Sequence, residues 1–288
     1  MQRTFGILGG DGRFGTVAKF FADVGNTVWV WGQNSRVDIG RARHTEHLTE
    51  AIESSDVVVL PIPALSAEGL LNLPMSEEKL DVVDVLNCMN THQILAGGLL
   101  PKWLVDLAEK QGISVIDYGK REDFITANAV PTAEGAIGIA LRELKQTLWD
   151  SNCLILGYGR IGKVLSQRLS PLCKSLTVAA RKPQDLSMIT AMGYRAVDYR
   201  HWAGALEEAD VVFNTVPVML LSADVLRLLP SDALIVDLAS RPGGTDFKAA
   251  EQCGIKTVWA LSLPGKTAPH SAGKIIADSI CKGMQELE

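Results

Sequence analysis

Cys153-Leu-Ile-Leu-Gly-Tyr-Gly-Arg-Ile-Gly162, followed by Thr177-Val-Ala-Ala-Arg-Lys182, decides how this chain is read. The two stretches spell a strand, a glycine-rich turn, a helix and a second strand that ends in two cations. That is the layout of a dinucleotide site in a βαβ unit: Gly157 for the tight turn, Gly159 for backbone approach to a pyrophosphate, and Gly162 for close packing of helix on strand. The pyrophosphate would meet the helix N-terminus, where free N–H groups and the dipole favour anions. The expected cofactor set is Gly157, Tyr158, Gly159, Arg160, Ile161 and Gly162, with Arg181, Lys182 and Thr215.

The end of the second strand sets the cofactor. An NAD site places Asp or Glu roughly 20 residues on, where it holds the ribose 2′-hydroxyl. Here the run is Ala179-Ala180-Arg181-Lys182, with no acid. A guanidinium fork grips a 2′-phosphate, whereas a carboxylate repels it. The expectation is NADP(H).

Composition bounds the rest. The chain has 288 residues, enough for two domains, with 47% apolar and 21% charged residues. A net charge of −5 argues against general nucleic-acid binding. No run approaches the ~18 apolar residues of a membrane span, and no signal peptide is expected. The five cysteines are scattered without a CxxC pair, which fits reduced thiols in a cytoplasm. His44 and His47 lack a third metal ligand, so no metal is expected.

Around the opening stretch, apolar runs alternate with helices, which predicts parallel sheets covered on both faces. The first half has strands at Phe5–Leu8, Thr27–Val30, Val57–Leu60, Val82–Val85 and Ile113–Ile116, with a helix over Leu100–Gln111. The second half has strands at Leu154, Thr177, Val211–Phe213, Leu234–Val236 and Thr257–Trp259. A helix over Thr132–Trp149, opening near Pro131, joins them. The fold class is therefore α/β, with two Rossmann-like parallel-sheet domains. Residues 1–130 form a substrate or partner domain, 131–150 the connecting helix, 151–268 the NADP domain, and 269–288 a terminal helix placed so that it can return to the first domain.

Gly10-Asp11-Gly12-Arg13-Phe14-Gly15 repeats the glycine pattern, but Asp11 puts a carboxylate where a pyrophosphate would lie. That turn reads either as one that orients Asp11 and Arg13 toward a ligand between the domains or as a purely structural one. The densest chemical cluster follows the fifth strand of the second domain, Asp237-Leu-Ala-Ser-Arg-Pro-Gly-Gly-Thr-Asp-Phe247. Ligands in open α/β sheets sit beyond the carboxyl ends of the strands. Arg241 is suited to a carboxylate, and Gly243 and Gly244 to backbone approach. Asp246 reads either as a functional acid or as the start of the next helix. Lys266 and His270 lie in the following loop. Arg121, Asn128, Thr132 and Glu134 add polar groups near the expected hinge.

Along nearly its whole length the sequence resembles the family of dipicolinate synthase A subunits from spore-forming bacteria. The resemblance is carried by Gly9-Gly-Asp-Gly-Arg13, Asn128 to Gly135, Leu156-Gly-Tyr-Gly-Arg160, Leu263-Pro-Gly-Lys266, Ala268-Pro269 and, most specifically, Asp237–Phe247. Phe14 and Gly15 depart from the family pattern, and His270 stands where a lysine is expected. The resemblance implies NADP-linked oxidation of a dihydro precursor to pyridine-2,6-dicarboxylate during sporulation. It also implies a flavoprotein-like B subunit as partner and a location in the mother-cell cytoplasm. A homo-oligomer is compatible with the sequence. A dicarboxylate substrate needs cations, for which Arg13, Arg121, Arg241 and Lys266 are candidates, with Asn128, Thr132, Gly243 and Gly244 beside them. Asp246 and Glu134 are the candidate bases. Two other readings compete. One is a D-2-hydroxyacid dehydrogenase, which needs a late His backed by an acid. The other is a non-enzymatic NADPH-binding protein with a regulatory or scaffold role.

Overall fold

A computed structural model describes residues 2–288. The chain divides into two compact units, one running to Asn128 and including Ala268–Glu288, the other Ala129–Thr267. The first holds β1 (Thr4–Leu8), β2 (Thr27–Trp31), β3 (Arg43–His44), β4 (Val57–Val59), β5 (Ile94–Gly97) and β6 (Ser114–Asp117). The second holds β7 (Asn152–Leu156), β8 (Ser175–Ala180), β9 (Arg195–Asp198), β10 (Val211–Asn214), β11 (Leu234–Asp237) and β12 (Lys256–Trp259). The sheet orders are β3-β2-β1-β4-β5-β6 and β12-β11-β10-β7-β8-β9, and every named pairing is parallel. Both sheets therefore have the doubly wound order, with switch points at β1/β4 and β7/β10.

The strands are continuous apolar runs because both faces of each sheet are covered. In the first unit Ile7, Val57 and Val59 belong to one core, while Leu8 and Val58 belong to the other. In the second, Ile155 and Val178 face one core, and Leu154, Leu156 and Ala179 the other. Phe5 stacks on Phe21 at 3.9 Å and fixes the helix Gly12–Asp23 on the first sheet. The terminal helix Pro269–Leu287 packs in the first unit. A Cβ on its Gly273 would lie 2.4 Å from the Arg13 carbonyl, so only glycine permits that approach.

The structure corrects two expectations. Val82–Val85 is part of a helix, Val82–Asn87, because the Asp81 carboxylate caps it by accepting from the Val83 N–H at 2.9 Å. The strand lies at Ile94–Gly97 instead. The long helix covers Glu122–Glu143 rather than Thr132–Trp149, with Pro131 in its interior. Proline there forfeits one backbone hydrogen bond, a cost of roughly 3 kcal/mol that burial of neighbouring apolar side chains offsets. Phe124, Ala129, Ala133, Ala136, Ile137 and Ala140 supply that burial. By length and composition this helix could also cross a membrane, but it contains no unbroken apolar run of that length. Over half of its most apolar window is buried within the fold. The edge strands β3 and β9 are short and carry no apolar run that would announce them; β3 is exposed, and β9 has only Ala196 and Val197, both half-buried.

Candidate functional site at the second switch point

Each glycine of the 157–162 turn has a separate geometric reason. Gly157 has φ +102°, and a Cβ there would fall 2.3 Å from Thr215 Oγ1. A Cβ on Gly162 would lie 2.1 Å from the Gly157 carbonyl oxygen, which fixes the helix Arg160–Leu169 against the turn. Gly159 differs: a Cβ there would meet nothing within 4 Å. It also occupies the N-cap of the helix with no side chain capping it. The turn thus holds open space in front of a helix N-terminus whose N-cap residue carries no side-chain acceptor, a geometry that suits a phosphate.

The other expected cofactor residues divide by role. Tyr158 is buried in the core with Lys163 over its ring at 5.5 Å, and burial pushes its hydroxyl above the usual phenol range. Ile161 packs on the same core. Ile161 offers a ligand only its backbone, while the Tyr158 ring also lines a cavity with Lys163 and Tyr194. Thr215 donates from Oγ1 to the Leu156 carbonyl at 2.8 Å and so braces the turn. Arg160, Arg181 and Lys182 are exposed. Arg181 directly follows β8, and Lys182 is the N-cap of the helix Pro183–Ala191.

Sequence reasoning misses two residues beyond Arg181. Asp198 pairs across strands with Ala180, so it supplies the carboxylate that β8 lacks. Arg200 holds it at 2.7 and 3.0 Å, and this contact with the Arg200 N–H lowers its pKa to about 2. The acid is thereby neutralised by a cation of its own strand end. Tyr199 is largely buried, which pushes its hydroxyl up to about 12 against the opposing charge of Arg181.

A buried pair joins this turn to the 237–247 tract. Asn214 and Asp237 are register partners at the ends of β10 and β11, and both are fully buried. The Asp237 carboxylate accepts from Asn214 Nδ2 at 2.9 Å, the Ala239 N–H at 2.9 Å, the Gly244 N–H at 3.0 Å and Thr245 Oγ1 at 2.7 Å. Four donors match the acceptor capacity of its two oxygens, so this buried side chain leaves no lone pair unpartnered. Asn214 in turn exchanges two hydrogen bonds with the backbone of Val216, whose side chain abuts Gly157. A Cβ on Gly244 would lie 2.2 Å from Asn214 Nδ2. The tract is therefore a loop folded around Asp237, with Gly243 at φ +88° and Arg241 exposed above it. The Arg241 guanidinium lies 5.2 Å from the Trp259 ring centre. Lys266 is exposed on the short helix Leu263–Thr267, where Gly135 of the long helix approaches Leu263 and Thr267 closely.

Other expected site residues already have partners. Asp246 caps the helix Phe247–Gln252, accepting from the Ala249 N–H at 3.0 Å. Glu134 pairs with Arg168 at 3.2 Å. In the first unit, Asp11 caps its own helix by accepting from the Arg13 N–H at 3.1 Å, so a carboxylate fills the position that is open at Gly159. The Arg13 side chain is buried and bonds Asp11 and the Ile62 carbonyl at 2.9 Å. Arg121 binds Glu286 through two nitrogens at 2.6 and 2.8 Å and Asp123 at 3.0 Å, so it ties down the terminal helix. Asn128 and Thr132 lie one turn apart on the long helix, half-buried and buried. His44, His47 and His270 are exposed. Among the described residues no group of three or more His, Cys, Asp or Glu gathers as a metal site.

The fold is shared with known proteins. Residues 4–119 match the family of N-terminal domains of the dipicolinate synthase A subunit. The dipicolinate synthase A subunit of Bacillus subtilis (strain 168) is 33% identical over 234 residues, which cover 81% of this chain and 79% of the relative. The chain belongs to the family of dipicolinate synthase A subunits. The crystal structure of the dipicolinate synthase A subunit from Bacillus halodurans superimposes with a TM-score of 0.87 at 29% identity over 97% of each chain. That of its Bacillus subtilis counterpart gives 0.87 at 30% identity, over 100% of this chain and 97% of the other. The doubly wound α/β class read from the glycine turn is thus the class of the family.

Proposed function

We propose that the chain is the NADP(H)-binding oxidoreductase component of a dipicolinate synthase, oxidising a dihydro precursor of pyridine-2,6-dicarboxylate. The observation that carries this reading is the open space at Gly159, in front of a helix without a side-chain N-cap and on the same sheet as a β8 end whose neighbouring carboxylate, Asp198, is already paired with Arg200. Family membership supports the choice of substrate class. The net oxidation would take a hydride equivalent and one proton from the dihydro ring to give the aromatic dicarboxylate, with bound NADP+ as the two-electron acceptor.

When bound, the nicotinamide supplies the hydride acceptor. The chain supplies binding and orientation. Helix N–H groups at 159–162 hold the pyrophosphate, and Arg181 holds the 2′-phosphate. Arg241 and Lys266 are the cations left for substrate carboxylates, because Arg13 and Arg121 are occupied by partners. Asp246 and Glu134 also have partners, so the released proton goes to water, aromatisation driving its loss. By kinship the chain works with a flavoprotein-like B subunit in the mother-cell cytoplasm of a sporulating bacterium. The test is an assay with a dihydrodipicolinate source and NADP+, with and without that flavoprotein-like partner, read by absorbance of the pyridine product. Product formation with stoichiometric NADPH supports the reading. Tight NADPH binding without turnover in either arm would leave a regulatory role instead.

A further inference from the structure

We propose that the second unit carries a binding site for a flat organic carboxylate in the cavity beside Trp259, with Arg142 as a ligand-binding residue. The cavity has a volume of about 460 Å³, within the range of small-molecule sites. Its walls combine an aromatic ring, apolar side chains and cations. Trp259 forms one wall, with Ile139 and Leu263 among the apolar groups.

The indole is held before any ligand arrives. Its Nε1–H donates to the Ala239 carbonyl at 3.1 Å, and its ring stacks on Phe247 at 4.9 Å with 29° between the planes. A fixed ring is a platform for a second flat ring. Arg142, in the last turn of the long helix, and Lys266 both line the cavity. Among the described residues neither head group has a hydrogen bond or an ion pair. Glu143 also lines the cavity, but Lys256 holds its carboxylate at 2.7 Å. With Arg241 already 5.2 Å from the indole centre, Arg142 and Lys266 make the surroundings of this ring cationic, a set that selects a planar anion. A neutral ring gains only weak cation–π attraction from these groups, far less than a carboxylate does, and a cationic ring is repelled.

The site deepens the function above by adding Arg142 and Trp259 to Lys266, and it rests on that reading only for its natural occupant. One chemistry has two sources here: the substrate before oxidation, or the product returning as an inhibitor. The probe is pyridine-2,6-dicarboxylate, titrated calorimetrically into the full chain, with NADPH titrated separately. Arg142→Ala and Lys266→Ala are each expected to raise the Kd of the dicarboxylate roughly tenfold or more, leaving that of NADPH unchanged. Arg142→Lys should recover part of the loss, and Trp259→Phe should remove any quench of tryptophan fluorescence. Unchanged dicarboxylate binding in both alanine variants overturns the proposal, even if NADPH binds well. Failure of NADPH to bind, with dicarboxylate binding still dependent on both cations, sinks the oxidoreductase reading and leaves the cavity site standing. In steady state, a joint rise of substrate KM and product inhibition constant in Arg142→Ala marks one shared site. A rise of the inhibition constant alone marks a separate product site, and no change in either contradicts both.

Discussion

The carboxylate of Asp237 accepts a hydrogen bond from the side-chain amide of Asn214 at 2.9 Å, and neither residue is exposed to solvent. This contact links the two loops that make up the candidate site. On one side, Asn214 holds Val216 beside Gly157; on the other, Asp237 holds Gly244 and Thr245 below Arg241.

Asp237→Asn is expected to destabilise the chain by about 2–4 kcal/mol, since an amide turns a donor toward N–H groups that need an acceptor. Chemical denaturation measures this directly. A change within ~0.5 kcal/mol, the range of ordinary surface substitutions, would deny the pair its organising role.

The glycines give a sharper contrast. Gly159→Ala adds a methyl group to open space, so its stability should stay within ~0.5 kcal/mol of wild type while NADPH affinity falls. Gly162→Ala must push against the Gly157 carbonyl and should lose both stability and affinity. Thermal unfolding alongside NADPH titration separates the two. Full NADPH affinity in Gly159→Ala would mean that no ligand approaches there.

Arg241→Lys keeps the charge but loses the planar fork, so substrate KM should rise with kcat less affected. Unchanged kinetics would remove Arg241 from carboxylate binding.

Glu286 gives a pH signature in the first unit. The hydrogen bond from Arg121 lowers its pKa. Its stabilising contribution is therefore present above the unfolded value of about 4.3 and is lost as pH falls through the depressed folded value. Glu286→Gln should lower the melting temperature at neutral pH and converge with wild type under strong acid. Parallel curves across that window would reject the linkage.

What the sequence reveals follows the range of the interactions. The glycine turn is legible because strand, turn, helix and second strand lie within about thirty residues and each glycine answers a local constraint. Arg121 reads as free for substrate because its partner, Glu286, is 165 residues away in the chain. Asn214 carries no motif and meets Asp237 only because β10 and β11 pair in that register. Val82–Val85 looks like a strand because a short apolar run fits either element; Asp81, a good N-cap, is the available signal. Asp198 escapes notice because it lies on an edge strand, yet it reaches the β8 end by pairing with Ala180.

The central claim is that the second unit binds NADP(H) with Arg181 on the 2′-phosphate. Its most direct measurement is the Kd of NADPH and of NADH for wild type and Arg181→Glu. Wild type should prefer NADPH roughly tenfold or more, and Arg181→Glu should abolish that preference by weakening NADPH alone. Equal affinities in wild type, or equal loss for both nucleotides in the variant, would contradict it.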